Sequence, residues 1–296
     1  MHIEIPKNIT VDYKKYLSQL DTAHFLNNIS AFRDLNFKRL SYKEVKSAIE
    51  ELFYVIDEHN QQYCGLIQER TVYSKGTSFY RTRRIDDSDC KIPLTTITQE
   101  RDLWCPSRDM IKMQRVNLEN EQILYTTPKF PRIAIEETKV PDRGRFILLQ
   151  YDAVEDISVI LVGLRANVDG LNKDEQVKHN LINAFMRDEF TREVGTGTEY
   201  LYKISNCLAK EFYGFLPGFA DAWCYPSVVD KKNCNVCLQE KIAKKKMIMK
   251  GFYVCQKIDV ANGFEIETDF VGRFIAGRFS YEKLSAGVVS EQLPLL

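Results

Sequence analysis

The chain has no excess charge of either sign, no long apolar run and no glycine-rich loop, and each absence removes a class of function. Forty-one Lys and Arg balance forty-one Asp and Glu over 296 residues, so the formal net charge is zero. A nucleic-acid-binding domain carries a basic excess, so no nucleic-acid partner is expected. No stretch approaches the roughly 20 apolar residues that cross a bilayer. The opening MHIEIPKNITVDYKKY lacks the charged-then-apolar order of a secretory signal. A cytoplasmic protein without membrane contact is expected. Neither G-x-G-x-x-G nor the Walker pattern occurs, so the phosphate loops of dinucleotide folds and P-loop enzymes are missing. HExxH and the nucleophile elbow are missing too. Cys234 and Cys237 form a CxxC, but no second such pair or His pair accompanies it. A structural zinc needs four ligands, so no metal is expected. Eight scattered cysteines fit a reducing compartment, where free thiols pack as small hydrophobes.

What remains is ordinary globular composition, 44% hydrophobic and 28% charged, with enough chain to bury a sizeable core. Residues 1–62 read as helical. KYLSQLDTAHFLNNISAF places Leu17, Leu20, Phe25 and Leu26 at helical spacing. SYKEVKSAIEELFYVIDEH follows, with Ser41 and Glu44 set as a capping box and Val45, Ile49, Leu52, Val55 and Ile56 on one stripe. A strand is expected at 78–84, then an irregular stretch over 86–114 anchored by Trp104, Cys105 and Pro106. A strand at 123–126 and a short helix at 131–137 with Pro131 in its first turn come next. GRFILLQYDAV and ISVILVGL are strong strands. NKDEQVKHNLINAFMRDEF reads as a helix with Val177, Leu181, Phe185 and Met186 on one face, and a second helix follows at EYLYKISNCLAKEFYGFL. AWCYPSVV, KMIMKGFYVCQKI, GFEIETDFV and GRFIAGRF make the remainder β-rich. This order is α+β, without regular alternation or internal repeats. KIAKKK, residues 241–246, reads as a solvated helix face; a phosphate-contacting patch is the alternative.

Candidate chemistry lies between Thr77 and Glu137. TSFYRTRR sets Arg81 and Arg83 on one face of a strand by the period of two. A guanidinium fork matches two phosphate oxygens at once, while a surface ion pair is the plainer reading. MQRVN supplies Arg115 and Asn117, QILYTT supplies Tyr125, and IAIEE ends on Glu136 and Glu137. In a helix those two glutamates point about 100° apart, so only one can face a cleft. Farther on, YPS places Ser227 in a turn context and KKNCN supplies Asn235.

In that order these elements resemble the RES domain family, named for arginine, glutamate and serine, over roughly residues 77–260. The family comprises toxins of bacterial toxin–antitoxin pairs related to ADP-ribosyltransferases. Its arginine falls on Arg81, its basic-x-asparagine element on Arg115 and Asn117, its tyrosine on Tyr125. Its glutamate falls on Glu137, its serine on Ser227 and its later asparagine on Asn235. The resemblance implies an ADP-ribosyltransferase-like core of two small mixed or antiparallel sheets with flanking helices, occupying 63–296. The N-terminal helical region 1–62 would be this chain's own addition. It implies NAD as substrate, with Arg81, Glu137 and Ser227 catalytic, and with Arg81, Arg115, Tyr125 and Asn235 binding it. Arg81 would hold the pyrophosphate, Tyr125 would stack on nicotinamide, and Glu137 would stabilise the ribosyl cation. Capture by water makes a glycohydrolase, by phosphate a phosphorolase, by a protein side chain a mono-ADP-ribosyltransferase. A cognate antitoxin and homodimers are further implications. The reading from another class is a non-enzymatic binding protein with a degenerate pocket.

Overall fold

A computed structural model describes residues 2–3, 7–85, 92–164, 168–214 and 219–284. In chain order the first elements are β1 (His2–Ile3), α1 (Lys7–Gln19), α2 (Thr22–Arg33), α3 (Tyr42–Phe53), β2 (Tyr54–Ile56), β3 (Gln62–Cys64), β4 (Glu69–Tyr73) and β5 (Ser78–Arg84). β6 (Ile123–Pro128), α4 (Pro131–Glu137), β7 (Arg145–Ala153), β8 (Ile157–Leu161), α5 (Lys173–Thr191) and α6 (Tyr202–Cys207) follow. The chain closes with β9 (Ala222–Pro226), β10 (Cys234–Gln239), α7 (Glu240–Lys246), β11 (Met247–Val260), β12 (Gly263–Ile275) and β13 (Arg278–Lys283). The class is α+β, with mixed strand directions. Among the described residues no helix is long and apolar enough to cross a membrane. The C-terminal residues 290–296 lie outside the described residues.

The chain forms two compact units. The sequence places a boundary at 62/63; the packing instead groups residues 1–72 with 109–121 and 158–232 in unit 1, and the remainder in unit 2. The N-terminal helices therefore share a core with α5 and α6. Phe185 of α5 meets Phe32 of α2 and Phe53 of α3 at ring-centroid distances of 5.6 and 5.3 Å. Such edge-on contacts add to the burial of large rings.

Local chemistry sets the helix starts in unit 1. Asp21 caps α2 by accepting the amide of His24 at 2.6 Å, so the long apolar pattern of residues 15–32 breaks into two helices. Ser41 and Glu44 form the expected capping box at α3, and Asn172 and Glu175 repeat it at α5. α3 stops at Phe53. Val55 and Ile56 belong to β2, which pairs antiparallel with β3, and Ile56 is 64% exposed. The buried face of α5 is also rotated from the sequence pattern. Val177 is 52% exposed, whereas Lys178 and His179 are buried. Their polar ends are met from α1: Lys178 Nζ donates to the Leu17 carbonyl at 3.0 Å, and the Tyr13 hydroxyl lies 2.8 Å from His179 Nδ1.

Unit 2 is built on seven antiparallel strands in the order β10-β6-β5-β7-β11-β12-β13. Alternation gives the sheet two faces. One carries Tyr80, Phe146, Leu148, Tyr253, Cys255 and Val271, packed under Ala134 and Ile135 of α4. The other carries Phe79, Arg81, Tyr151 and Phe252. It receives the loop after β5, where Leu94, Ile97, Leu103, Trp104 and Cys105 are buried. Trp104 and Cys105 anchor that loop as expected; Pro106 is exposed, and Leu103 takes the third anchoring position.

Candidate functional site

The α4 face of unit 2 carries a polar row where an apolar one would suffice. Register places Tyr80 of β5 opposite Thr127 of β6 on one side and Gln150 of β7 on the other. Asn235 of β10 joins Thr127 through its side chain. The Thr127 hydroxyl donates to Asn235 Oδ1 at 2.9 Å, and Asn235 Nδ2 donates to Glu137 Oε1 at 2.9 Å. Four neighbouring strands thus contribute one polar side chain each over about 14 Å, and α4 lowers Glu137 onto one end of the row.

Each link in this chain fixes the next. A carboxylate only accepts, so the amide nitrogen of Asn235 must face Glu137. Its oxygen then faces the Thr127 hydroxyl. Asn235 and Thr127 are 6% and 2% exposed, so neither has freedom to rotate away. The hydrogen bond onto an ionised oxygen is of the stronger, charge-assisted kind. Glu137 itself is half-buried, and its Oε1 is held by the Asn235 amide. Glu136 turns elsewhere, toward Arg132 at 3.6 Å on the outer side of the helix. Of the two glutamates, Glu137 is the one that meets the sheet.

Tyr125 shares this face, two residues before Thr127 and opposite Cys237, and is half-buried. Tyr80 is also half-buried; burial pushes its phenol above the usual range, so it stays a neutral donor. At the far end, Asp152 Oδ1 accepts from Ser78 at 2.8 Å and from Gln150 at 3.2 Å. Sequence reading missed Tyr80, Thr127 and Gln150 as site residues. The available signal was Gln150, which interrupts the apolar run of RFILLQYDA at an inward position.

Arg81 sits on the opposite face of the sheet. Its guanidinium donates to the Trp104 carbonyl, and Arg83 donates to the Asp102 carbonyl at 3.4 Å. Both arginines do share a face, as the period of two requires, and both fasten the loop after β5. Tyr151 lies beside Arg81 and donates to the Leu103 carbonyl at 2.5 Å; burial raises its pKa to about 12. Arg81 and Glu137 are therefore separated by the thickness of the sheet.

Arg115 and Ser227 belong to unit 1. Arg115 is 7% exposed. It donates to the carbonyls of Glu189 and Arg192 and stands 5.7 Å from the Tyr202 ring centroid. Asn117 closes the same segment by donating to the carbonyls of Lys112 and Leu118. Ser227 is fully buried and accepts the amides of Val229 and Asp230 at 3.3 and 3.2 Å. That is a serine turn closing the chain after β9. Cys234 and Cys237 lie on β10 at an odd separation, so their thiols point to opposite faces.

No family model, no curated protein and no solved structure matches the chain. The structure brings together Tyr125, Glu137 and Asn235 on one surface, with Thr127, Tyr80 and Gln150 beside them. This surface offers a held carboxylate at each end, Glu137 and Asp152, with two aromatic rings and a line of neutral hydrogen-bonding groups between them.

Proposed function

We propose that unit 2 is an NAD-consuming enzyme with an ADP-ribosyltransferase-like site, in which Glu137 supports cleavage of the nicotinamide–ribose bond. The observation that carries this reading is the Asn235–Glu137 hydrogen bond. It joins two of the residues that the family resemblance singles out across 98 positions of sequence. In the reaction the C–N bond breaks and its electron pair goes to nicotinamide, which leaves neutral from a cationic ring. The ribose becomes an oxocarbenium-like cation, as in other glycosidic cleavages. A fixed carboxylate beside that carbon stabilises the developing charge. Asn235 and Thr127 hold it in place, so little reorganisation accompanies the charge. Tyr125 provides a ring for stacking on nicotinamide, and Tyr80 and Gln150 provide neutral hydrogen bonds along the bound dinucleotide. The pyrophosphate grip expected of Arg81 is not part of this proposal, because that guanidinium occupies the other face. Arg115 and Ser227 are likewise left with structural roles.

Hydrolysis is the first outcome of the cation, followed by phosphorolysis and by transfer to protein. A cognate antitoxin covering the row is the corresponding partner. A second reading, binding without turnover, is favoured by one observation, the engagement of Arg81 with the Trp104 carbonyl. The test is nicotinamide release from NAD by the purified chain in water, in phosphate buffer and with cell lysate. Free ADP-ribose marks hydrolysis, a phosphorylated ADP-ribose marks phosphorolysis, and label on protein marks transfer. Saturable NAD binding without release under any condition leaves the binding-only reading.

A further inference from the structure

β13 is the last strand of the unit 2 sheet. Among the described residues it is paired along one side only, to β12. The other side of such a strand presents backbone donors and acceptors to any strand that can align with it. Its side chains follow the register with β12. Arg278, Ser280 and Glu282 stand opposite Ile275, Arg273 and Val271, on the α4 face. Phe279 and Tyr281 stand on the other face, each with its ring centroid 6.0 Å from that of Phe252.

The strand reads RFSYEK and is self-complementary about Ser280. In an antiparallel pair with a two-fold axis at Ser280, Arg278 of each copy faces Glu282 of the other. Phe279 then faces Tyr281, also twice. The neighbouring symmetric register, with its axis at Tyr281, sets Ser280 against Glu282 and Phe279 against Lys283, and so loses both the opposite-charge and the Phe279–Tyr281 pairs. Glu282 is 65% exposed at its side chain and lies 3.4 Å from Arg273. An incoming Arg278 would complete a cation on each side of that carboxylate. Ile275, 58% exposed at the end of β12, supplies apolar surface beside the same edge.

We propose that β13 pairs antiparallel with β13 of a second copy of this chain, joining two unit 2 sheets through a two-fold axis at Ser280. The interaction is isologous, so each charged pair occurs twice. It does not depend on the reading of the α4 face.

The test is the solution mass of the full chain by sedimentation, for wild type, Arg278→Glu and Glu282→Arg, with circular dichroism confirming the fold of each. The wild type sediments as a dimer. Arg278→Glu sets two glutamates face to face twice, Glu282→Arg does the same with arginines, and each alone sediments as a monomer. Mixed in equal amounts, the two variants regain dimer mass, because every facing pair is then of opposite sign. Should either variant lose its fold, Ser280→Lys, at an exposed position, places two ammonium groups across the axis and also gives monomer. A monomeric wild type overturns the proposal. So does a dimer that persists in every folded variant, or a mixture of folded variants that stays monomeric.

Discussion

The two units bury polar groups in different ways, and the difference separates groups that hold the fold from groups placed to meet a ligand. In unit 1 the buried side chains of Lys178, His179 and Arg115 reach across to other segments and are held there. Lys178 is held by the Leu17 carbonyl and by Asp174 at 2.7 Å. His179 has Tyr13 at one ring nitrogen and Asn183 at the other. Arg115 closes on two carbonyls, and Ser227 closes its own turn. In unit 2 buried Asn235, Thr127 and Gln150 share one face, with Tyr80 between the last two. They end on half-buried Glu137 and are flanked by half-buried Tyr80 and Tyr125. A line of this kind is not needed to hold the strands, whose backbone ladders and apolar residues do that. Its Asn235 end holds the half-buried carboxylate of Glu137.

The comparison is broken most forcefully from the unit 1 side. Phe185→Ala removes a ring that is 2% exposed and that touches Phe32 and Phe53. A loss of about 3–5 kcal/mol is expected, read as a lower denaturant midpoint. Nicotinamide release per folded molecule should change little. On the unit 2 side, Asn235→Ala removes the buried amide that donates to Glu137 Oε1. The expected result is release slowed by about 10- to 100-fold, or ~1.4–2.7 kcal/mol in barrier, with NAD affinity nearly kept. If affinity and rate fall together by the same factor, Asn235 contacts NAD rather than positioning Glu137.

A smaller effect lies in the pH dependence of stability. Burial raises the pKa of Glu189 above the ordinary value, against the opposing pull of Arg192. A carboxyl whose folded pKa is raised gives up a proton more readily when unfolded. Its contribution to stability is therefore full below about pH 4.3 and declines as pH rises through the raised value. Glu189→Gln should flatten that part of the stability curve, measured by urea unfolding at a series of pH values. An unchanged slope would show that Arg192 offsets the burial completely.

Much of the local structure was legible in the sequence because it rests on local chemistry. The Ser41–Glu44 capping box, Pro131 at the start of α4 and the strand at Ser78–Arg84 depend on residues a few positions apart. Residues that depend on long-range packing were not legible. α5 buries Lys178 and His179 because α1 meets them; the Asp21 cap that divides residues 15–32 is local, a signal in the sequence that was passed over. The site shows the same division. That Arg81 and Arg83 share a face follows from a period of two, but which face does not. That choice is made when α4 packs over Tyr80 and Leu148, which sends Arg81 to the Trp104 side. The choice between Glu136 and Glu137 likewise waits on where β10 places Asn235.

The central claim is that Glu137, and not the arginine on the other face, carries the chemistry. It is tested by measuring nicotinamide release from NAD by wild type, Glu137→Gln and Arg81→Ala under one set of conditions. The account predicts release by wild type and a loss of about 100-fold or more in Glu137→Gln, the scale of removing one preorganised stabilising group. In Arg81→Ala, release per folded molecule should be largely kept even where the loop after β5 is loosened and stability falls. Equal rates for wild type and Glu137→Gln, or release abolished in a folded Arg81→Ala with Glu137→Gln intact, would contradict it.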